Sequence, residues 1–515
     1  MVQIAHFDGS DFMGEVGLAE MSVLGFEVVL VPEQMRHPVR HQREGRAANC
    51  TEVQQEEEDG SRSHGRWWFR VSGFGFWGFR GLGFGVFGFG EVFLWAKVRL
   101  EWSDGFFAWQ NIVLMAGAWG AADKLCFLCS VKLPEISQTD FDLLIIGAGP
   151  AGCSAALALR DGGFRVGLLD KARFPRDKVC GDAIPGPALR VLSELGFEAE
   201  ANGFAKKEMV TRSRLVAPNG KAMTIRWVTK AYNARRMDFD QFLLGLVKNH
   251  TRTAVLEAHC ASEIKKEDGR IWVETDRGRL SCRLLIGADG ANGITARQLA
   301  GFTLDRRHHC AAVRAYCRGL PGVEAGVNEF YLLDGYLPGY FWIFPLGNGW
   351  ANIGFGMLSK AVADKNLNLR KTLQAIISTH PVLKERFAQA EIMEKTVGFG
   401  LPLGSRHWPL SGDGFLLAGD AGSLIDPLQG HGIDKAMLSG KLAAEQAMRC
   451  FEYNRFDAAF LKEYSREIYH RCGAAFRKNY LLLRLLNRIP GLVNLVVHIA
   501  QQKKLRNWMQ RWMYG

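Results

Sequence analysis

The stretch over residues 140–170 constrains the fold more than any other part of this 515-residue chain. An apolar run at residues 143–146 precedes a glycine-rich turn and a helix start made of small residues. A second apolar run at residues 166–169 ends in Asp170. This order of strand, turn, helix and strand, closed by an acid, is typical of dinucleotide-binding sites in α/β folds.

The glycines of this turn have different predicted tasks. Gly147 allows the tight turn, Gly149 lets the backbone approach a pyrophosphate, and Gly152 lets the helix pack closely on the strand. The N–H groups at the helix start bind phosphate, and the acid accepts hydrogen bonds from a ribose. The residues of this segment that we predict to bind a dinucleotide are Gly147, Gly149, Ala151, Gly152, Asp170 and Lys171.

The first 130 residues differ from the rest of the chain. Residues 67–95 consist mainly of glycine and aromatic residues, and glycine at this density penalises helix and strand alike. The glycine spacing of the turn recurs at residues 73–78 and 83–88 without the apolar strand before it, so spacing alone carries little weight. We predict a low-complexity extension over residues 1–130. Three interpretations are open: a disordered segment, an aromatic interaction arm, or upstream DNA translated from a misplaced start. We favour the third, with Val131 as the alternative start.

Composition limits the class of protein. Hydrophobic residues make up 48% and charged residues 23%, as in globular proteins with room for two or three domains. The net charge is +11, and nine of the basic residues lie after position 470, in a segment without acidic residues. Because the excess positive charge is concentrated in that segment, we expect no nucleic-acid-binding surface spread over the fold. The start of the chain lacks a signal-like segment and the cysteines are scattered, which favours a cytoplasmic protein with reduced thiols. We read the pair Cys126 and Cys129 as incidental and predict no metal site.

Two later segments also place an acid at the end of an apolar strand, where ligands of open α/β sheets bind. The first ends in Asp289 and Gly290. The second ends in Gly419 and Asp420 and leads into a Pro-x-x-Gly-x-Gly-Ile segment.

Together, these three segments resemble the FAD-binding group that includes aromatic hydroxylases, halogenases and geranylgeranyl reductases. The resemblance implies FAD as cofactor, with Asp420 at the ribityl chain. A helix that starts at about Ile433 would point its positive end at the flavin. His431 and Gly293 depart from the pattern, and we favour a structural histidine over a hydrogen-bond donor to the flavin. The remaining FAD-site residues that the resemblance implies are Arg236, Asp289, Gly290, Gly419, Gly430, Gly432 and Ile433.

Two motifs resemble the geranylgeranyl reductase branch of this group. One is Cys180-Gly181 after the acid-ended strand, which the resemblance places beside the flavin and the substrate. The other is Tyr340-x-Trp342-x-Phe344-Pro, followed by a Gly-x-Gly. Strand alternation puts the three aromatic residues on one face, where they wall a tunnel for a polyprenyl chain or, alternatively, fill a core. The proline is expected to end the strand.

The expected fold is α/β, or α+β overall. A Rossmann-like FAD-binding domain comprises residues 131–205, 231–305 and 411–450, and an inserted, mainly antiparallel β substrate domain comprises residues 206–230 and 306–410. Residues 451–515 form a basic, helical C-terminal region. Its mixture of basic residues, aliphatics and tryptophans suits the surface of an anionic membrane, here the inner face of the cell membrane, or helices packed on the FAD domain.

The resemblance implies an FAD-dependent oxidoreductase that passes a hydride to C=C bonds of an isoprenoid lipid. NAD(P)H or a ferredoxin would supply the electrons. One alternative is a monooxygenase or halogenase. Another is an electron-transfer flavoprotein that reduces quinone, but the C-terminal part offers only Cys450 and Cys472 for an iron–sulfur cluster.

Overall fold

A computed structural model of the chain describes residues 140–200, 204, 207–489 and 491–500, and the backbone of six strands nearer the N-terminus. The chain divides into two compact units, residues 1–137 and 138–515. The first unit contains two three-stranded sheets, with the strand orders β1-β2-β6 and β3-β4-β5. Their strands are β1 Gln3–Ala5, β2 Val28–Leu30, β3 Phe84–Gly85, β4 Val92–Glu101, β5 Phe107–Ala116 and β6 Phe127–Cys129. The β4–β5 hairpin was not expected from the sequence, and the misplaced-start hypothesis stays a prediction.

The second unit carries the predicted cofactor and substrate segments. Its strands are β7 Leu143–Ile146, β8 Val166–Asp170, β9 Ala183–Ile184, β10 Glu208–Val216, β11 Ala222–Asn233, β12 Ala254–Glu257, β13 Ala261–Glu267, β14 Arg270–Thr275, β15 Gly278–Cys282, β16 Leu284–Gly287, β17 His309–Arg318, β18 Val327–Tyr331, β19 Tyr340–Gly347, β20 Trp350–Leu358, β21 Glu391–Ile392, β22 Val397–Pro402, β23 Ser411–Gly412 and β24 Phe415–Leu417. Its α-helices are α1 Pro150–Ala158, α2 Gly186–Glu194, α3 Arg236–His250, α4 Thr295–Ala300, α5 Ser359–Asp364, α6 Leu369–Thr379, α7 Pro381–Phe387, α8 Ile433–Glu452, α9 Ala458–Arg488 and α10 Gly491–Ala500.

A six-stranded sheet of order β12-β8-β7-β16-β24-β23 forms the first layer, and all neighbours except β23 and β24 run parallel. Both of its faces are covered. Leu143 and Ile145 pack toward α1, α3 and α8, whereas Leu144 and Ile146 pack toward the β13–β15 sheet. Burial on both faces explains why these strands are continuous apolar runs. Because β7, β16 and β24 are neighbours, the three glycine–acid segments that follow them meet at one edge of the sheet.

A nine-stranded sheet forms the second layer, with the order β21-β17-β20-β19-β18-β10-β11-β9 and β22 paired with β17. Its described pairs are antiparallel except β10 with β18. The sheet begins at Ala183 and includes Asn233, so it extends beyond the expected 206–230 segment on both sides. The layout confirms the predicted α/β fold with an antiparallel sheet.

Strand β19 runs past Pro345, contrary to the expectation that the proline ends it. The strand continues to Gly347, and its register with β20 shifts between Pro345 and Gly347. An irregularity in the register therefore accommodates the missing N–H donor, as is usual for proline inside a sheet.

The C-terminal helices pack on both layers. The buried side of α9 joins the core beneath the parallel sheet through residues such as Leu461, Tyr464 and Phe476. Helix α10 packs Val493 and Val497 against the β11 side of the antiparallel sheet. Within the described residues no single helix has both the length and the apolarity to cross a membrane. Helix α9 and residues 491–499 pass that criterion only as a pair, and the pair is bent by 116°.

Candidate functional site

Two glycines in and just after the turn between β7 and α1 lie where the surrounding protein leaves no room for a side chain. Gly147 has a φ of +105°, and a Cβ there would lie 2.3 Å from the Ala288 carbonyl oxygen. A Cβ on Gly152 would lie 1.9 Å from the Gly147 oxygen. Gly149 differs, since a Cβ there would meet nothing closer than Arg176 Nη2 at 3.8 Å. The space beside Gly149 is therefore open for a ligand.

Helix α1 starts at this open space. It begins with Pro150, and its N-cap residue, Gly149, provides no side-chain acceptor for the N–H groups of the first turn. Gly149, Pro150 and Ala151 all line the same cavity. A helix start without a side-chain cap, beside open space, is suited to bind a phosphate group.

Asp170, at the end of β8, holds the loops around this space. Its Oδ2 accepts a hydrogen bond from the Ala148 N–H at 2.9 Å, and its Oδ1 accepts one from the Ala172 N–H, also at 2.9 Å. The carboxylate therefore fixes the glycine turn, a task that the sequence did not indicate. The side chain also lines the cavity, as does the exposed Lys171 beside it.

A buried charge cluster lies behind the turn at the start of α3. Arg236 donates to both carboxylate oxygens of Asp240, with distances of 2.8 and 2.9 Å, and Arg176 donates to the same carboxylate at 2.9 Å. Burial opposes the charge on Arg236, but Asp240 outweighs it and raises the Arg236 pKa. Sequence reasoning named Arg236 and missed both partners. The i,i+4 spacing of Arg236 and Asp240 on a predicted helix was the available signal.

Asp289, which follows β16, accepts hydrogen bonds from the turn that comes after it. Its Oδ2 accepts from the Ile294 and Thr295 N–H groups at 2.7 and 3.0 Å, and its Oδ1 accepts from the Thr295 hydroxyl. Burial raises the Asp289 pKa in spite of these bonds. A Cβ on Gly293 would lie 2.0 Å from the Asp289 carboxyl carbon, which gives a physical reason for the glycine at this position. Asp289 and Gly290 both line the cavity.

The third strand end brings α1 and α8 into contact. Gly419 has a φ of +61°, and its N–H donates to Ser439 Oγ at 2.9 Å. A Cβ on Gly440 would lie 2.0 Å from the Ala151 oxygen, so the two helices pack closely at this point. Sequence reasoning missed Gly440. Asp420 lies next to Gly419 and lines the cavity.

Helix α8 begins at Ile433, as predicted, and its N-cap residue Gly432 provides no side-chain cap. His431 lies just before it, with Nδ1 3.0 Å from Asp434 Oδ1 and Nε2 2.6 Å from Gln429 Oε1. Burial disfavours a charge on His431, but the neighbouring Asp434 outweighs it and raises the pKa. Both ring nitrogens have partners within the protein, which favours the structural histidine.

The three aromatic residues of β19 form one wall of the cavity. The ring centroids of Tyr340 and Trp342 are 6.0 Å apart, and those of Trp342 and Phe344 are 6.1 Å apart. The alternate residues Phe341 and Ile343 point away, into the core covered by α6 and α7. Alternation along the strand therefore gives the predicted arrangement, with the aromatic face toward open space.

This aromatic wall contacts the loop before α8. The Tyr340 hydroxyl donates to the Gln429 carbonyl oxygen at 2.8 Å. Gly430 has a φ of +70°, and a Cβ there would lie 2.7 Å from the Tyr340 hydroxyl oxygen. The segment predicted to bind the flavin and the segment predicted to bind the lipid are thus in direct contact.

Cys180 and Gly181 lie against the same wall. A Cβ on Gly181 would be 3.1 Å from Phe344 Cε2 and 3.6 Å from Trp342 Nε1. Asn352 connects the two motifs, because it accepts from Trp342 Nε1 at 2.9 Å and donates to the Cys180 carbonyl oxygen at 2.8 Å.

Asn352 in turn donates to Asp182, at 2.9 Å. Asp182 is fully buried, and it also accepts from the Tyr316 hydroxyl at 2.7 Å and from the Arg236 N–H at 3.2 Å. Burial raises the pKa of Asp182 to about 6. Sequence reasoning missed Asp182 and Asn352, since nothing in their local sequence indicates a shared network.

One cavity of about 1130 Å³ joins these features. We call its wall of Gly149, Asp170, Asp289, Asp420 and Gly432 the polar half. The apolar half is lined by residues from β10, β11, β18, β19, α9 and α10, including Ile225, Phe330, Tyr340, Trp342, Phe344, Leu482, Leu486, Val493 and Val497. Lys178 also lines the cavity, with its amine 3.5 Å from the ring centroid of Phe399, and burial lowers its pKa. Among the described residues, no group of three His, Cys, Asp or Glu side chains is placed to bind a metal.

Comparison with known proteins agrees with this geometry. A family model described as an FAD binding domain matches residues 140–468. The chain is 30% identical over 346 residues to digeranylgeranylglycerophospholipid reductase 2 of Methanopyrus kandleri, an alignment that covers 66% of this chain and 84% of that protein. It is also 30% identical over 321 residues to the menaquinone reductase of Mycolicibacterium smegmatis, covering 60% of this chain and 76% of that protein.

Solved structures share the fold. A geranylgeranyl bacteriochlorophyll reductase-like protein from Thermoplasma acidophilum superposes with a TM-score of 0.63 at 24% identity, covering 71% of this chain and 92% of that one. A flavin-dependent brominase superposes with a TM-score of 0.61 at 21% identity, covering 73% and 93%. Reductases and halogenases therefore use the same scaffold, and the fold alone does not separate their reactions.

Proposed function

The chain belongs to the geranylgeranyl reductase family of FAD-dependent oxidoreductases, and from this premise we propose that it reduces C=C bonds of an isoprenoid, geranylgeranyl-type lipid chain. The observation that carries this proposal is the single cavity in which the polar half and the apolar half meet. A relative named as a digeranylgeranylglycerophospholipid reductase supports the substrate class.

The polar half fits FAD. Two helices without side-chain caps, α1 and α8, begin at this half of the cavity, and Gly149 leaves room beside the first of them. In the proposed arrangement the α1 start and Gly149 hold the pyrophosphate, Asp170 the adenosine ribose and Asp420 the ribityl chain. The start of α8 would then face the flavin edge that becomes negative on reduction, and its positive end would stabilise that charge. Bound FAD supplies the hydride chemistry.

The apolar half fits a hydrocarbon chain. Its aromatic and aliphatic side chains are mainly hydrocarbon, so a polyprenyl chain gains free energy when it replaces water there. Asn352 holds Trp342 in one orientation, and Gly181 lets Phe344 and Trp342 approach the Cys180 segment. These residues orient the chain and exclude water from the reacting bond.

Saturation of a C=C bond also requires a proton. We assign this supply to Lys178 Nζ, which lines the cavity and carries a proton that burial makes easier to release. After transfer, the amine regains a proton from solvent. NAD(P)H or a ferredoxin is proposed as the electron donor.

Anaerobic incubation of the reduced flavoprotein with geranylgeranyl lipids tests the proposal. We expect products that are heavier by two hydrogens per reduced bond, detected by mass spectrometry. Absence of a mass gain on every polyprenyl substrate, together with oxygenated or halogenated products in air, would instead identify a monooxygenase or halogenase of the same fold.

A further inference from the structure

The C-terminal helices have an outer surface that the proposed chemistry does not use. The end of α9 presents exposed Leu481 and Leu485, and Ile489 follows at the turn into α10, with 63%, 41% and 53% of each residue exposed. Leu495 on α10 is 52% exposed. Large aliphatic side chains are seldom this exposed in a group, and such groups usually mark an interaction surface.

Arginines occupy the same stripe of the helix. Arg477, Arg484 and Arg488 are exposed and alternate with Leu481 and Leu485 at spacings of three or four residues, so all five side chains share one face of α9. From residue 471 to the end of the chain the sequence contains nine basic residues and no acid. We call this stripe, with Ile489 and Leu495, the corner surface.

The opposite side of the same helices lines the cavity. Leu482 and Leu486 of α9, and Val493 and Val497 of α10, belong to the apolar half. Asn479 anchors α9 by donating to Asp426 at 2.7 Å, and Asn494 accepts from the Asn219 N–H at 3.2 Å on the α10 side. The corner surface is therefore separated from the lipid cavity by one helix thickness.

We propose that the corner surface docks on an anionic lipid bilayer, so that the substrate chain passes from the membrane into the apolar half between α9 and α10. The positive charge favours an anionic bilayer as the partner, because an apolar surface set among arginines, on a chain segment without acids, matches the boundary between acyl chains and anionic headgroups. The passage of substrate rests on the proposed function, whereas docking on the bilayer does not.

Vesicle sedimentation of the full-length holoprotein tests docking. We expect binding to phosphatidylcholine–phosphatidylglycerol vesicles that weakens at high salt and on pure phosphatidylcholine vesicles. Replacing Leu481, Leu485 and Ile489 with serine should weaken binding at least tenfold, since these side chains enter the bilayer. Replacing Arg477, Arg484 and Arg488 with glutamine should weaken it ~100-fold at low salt.

A matched control separates the corner surface from exposed apolar residues in general. Val382 on α7 and Tyr453 after α8 are 54% and 60% exposed and lie outside the corner surface. The variant Val382→Ser with Tyr453→Ser should bind vesicles as the unmodified protein does. Retained flavin absorbance confirms that each variant is folded.

Two substrate presentations distinguish failure of docking from failure of the reaction. With substrate dispersed in detergent, the triple serine variant should turn over at the unmodified rate, because none of its three changed residues lines the cavity. With the same substrate embedded in vesicles, its rate should fall at least tenfold, in line with the lost vesicle binding. Undiminished vesicle binding by the triple serine variant would overturn docking through this surface. If the unmodified protein binds vesicles but reduces no lipid in detergent, the proposed reaction fails and docking stands.

Discussion

The two halves of the cavity are built by different means. In the polar half, backbone conformation and buried hydrogen bonds set the shape, as the positive φ of Gly147 and the two bonds to Asp170 show. In the apolar half, side chains from the nine-stranded sheet and from α9 and α10 set the shape. Substitutions in the polar half should therefore act on folding and on the cofactor, and those in the apolar half on the lipid.

The largest effect is expected at Gly147. In the Gly147→Ala variant the methyl group would overlap the Ala288 carbonyl at a position with φ of +105°, so we expect loss of folded protein. Soluble yield and circular dichroism check this. A folded Gly147→Ala protein that retains FAD would contradict this prediction, because it would show that the turn accommodates a side chain.

The next largest effect concerns the charge cluster behind the turn. Arg236→Met leaves the buried Asp240 carboxylate with Arg176 alone, which should lower the free energy of unfolding by about 3–5 kcal/mol. Chemical denaturation measures the loss. The exposed Arg190 on α2 provides the control, since Arg190→Met should change stability by less than about 0.5 kcal/mol. If both variants lost the same free energy of unfolding, the buried cluster would contribute no more to stability than an exposed arginine, contrary to this prediction.

Gly149→Ala separates cofactor binding from folding. A Cβ at Gly149 has room in the protein but would occupy the space proposed for the pyrophosphate. We expect a free energy of unfolding within about 0.5 kcal/mol of that of the unmodified protein, and an FAD affinity lowered by at least about tenfold. Flavin fluorescence titration measures the affinity, and unchanged affinity would place the pyrophosphate elsewhere.

Trp342→Ala affects the other half of the cavity. The substitution removes the ring that Asn352 orients and widens the chain pocket, so we expect FAD affinity within about twofold of the unmodified value and a several-fold rise in KM for the lipid. Steady-state kinetics with detergent-dispersed lipid checks the split. Loss of FAD without a change in KM would reverse the assignment of the two halves.

The last prediction concerns Asp182, where the two halves meet. Because its pKa is raised to about 6 in the folded protein, its contribution to stability is greatest below the unfolded pKa near 4 and falls as the pH rises toward 6. Asp182→Asn should remove this slope, which cannot exceed about 1.4 kcal/mol per pH unit for one group. Thermal unfolding between pH 4 and pH 7 measures the slope, and identical slopes in both proteins would contradict the assignment.

The difference between the halves also explains what the sequence could predict. The α/β fold, the strand ends and the start of α8 follow from apolar runs and glycines that are local in the chain. The alternation that puts Tyr340, Trp342 and Phe344 on one face is local as well. The network of Asp182 and Asn352 joins residues 170 positions apart, so no local pattern reveals it. Likewise, the contact of Gly440 with Ala151 depends on how two helices cross, and the run of β19 past Pro345 depends on its pairing with β20.

The central claim is that the flavin and the lipid chain share one cavity and lie in contact. The visible spectrum of the oxidised, FAD-loaded protein, titrated anaerobically with a geranylgeranyl lipid, tests this claim most directly. We predict a saturable change in the shape of the flavin absorbance bands, because the chain replaces water beside the ring. An unchanged flavin spectrum under conditions where calorimetry shows that the lipid is bound would contradict it.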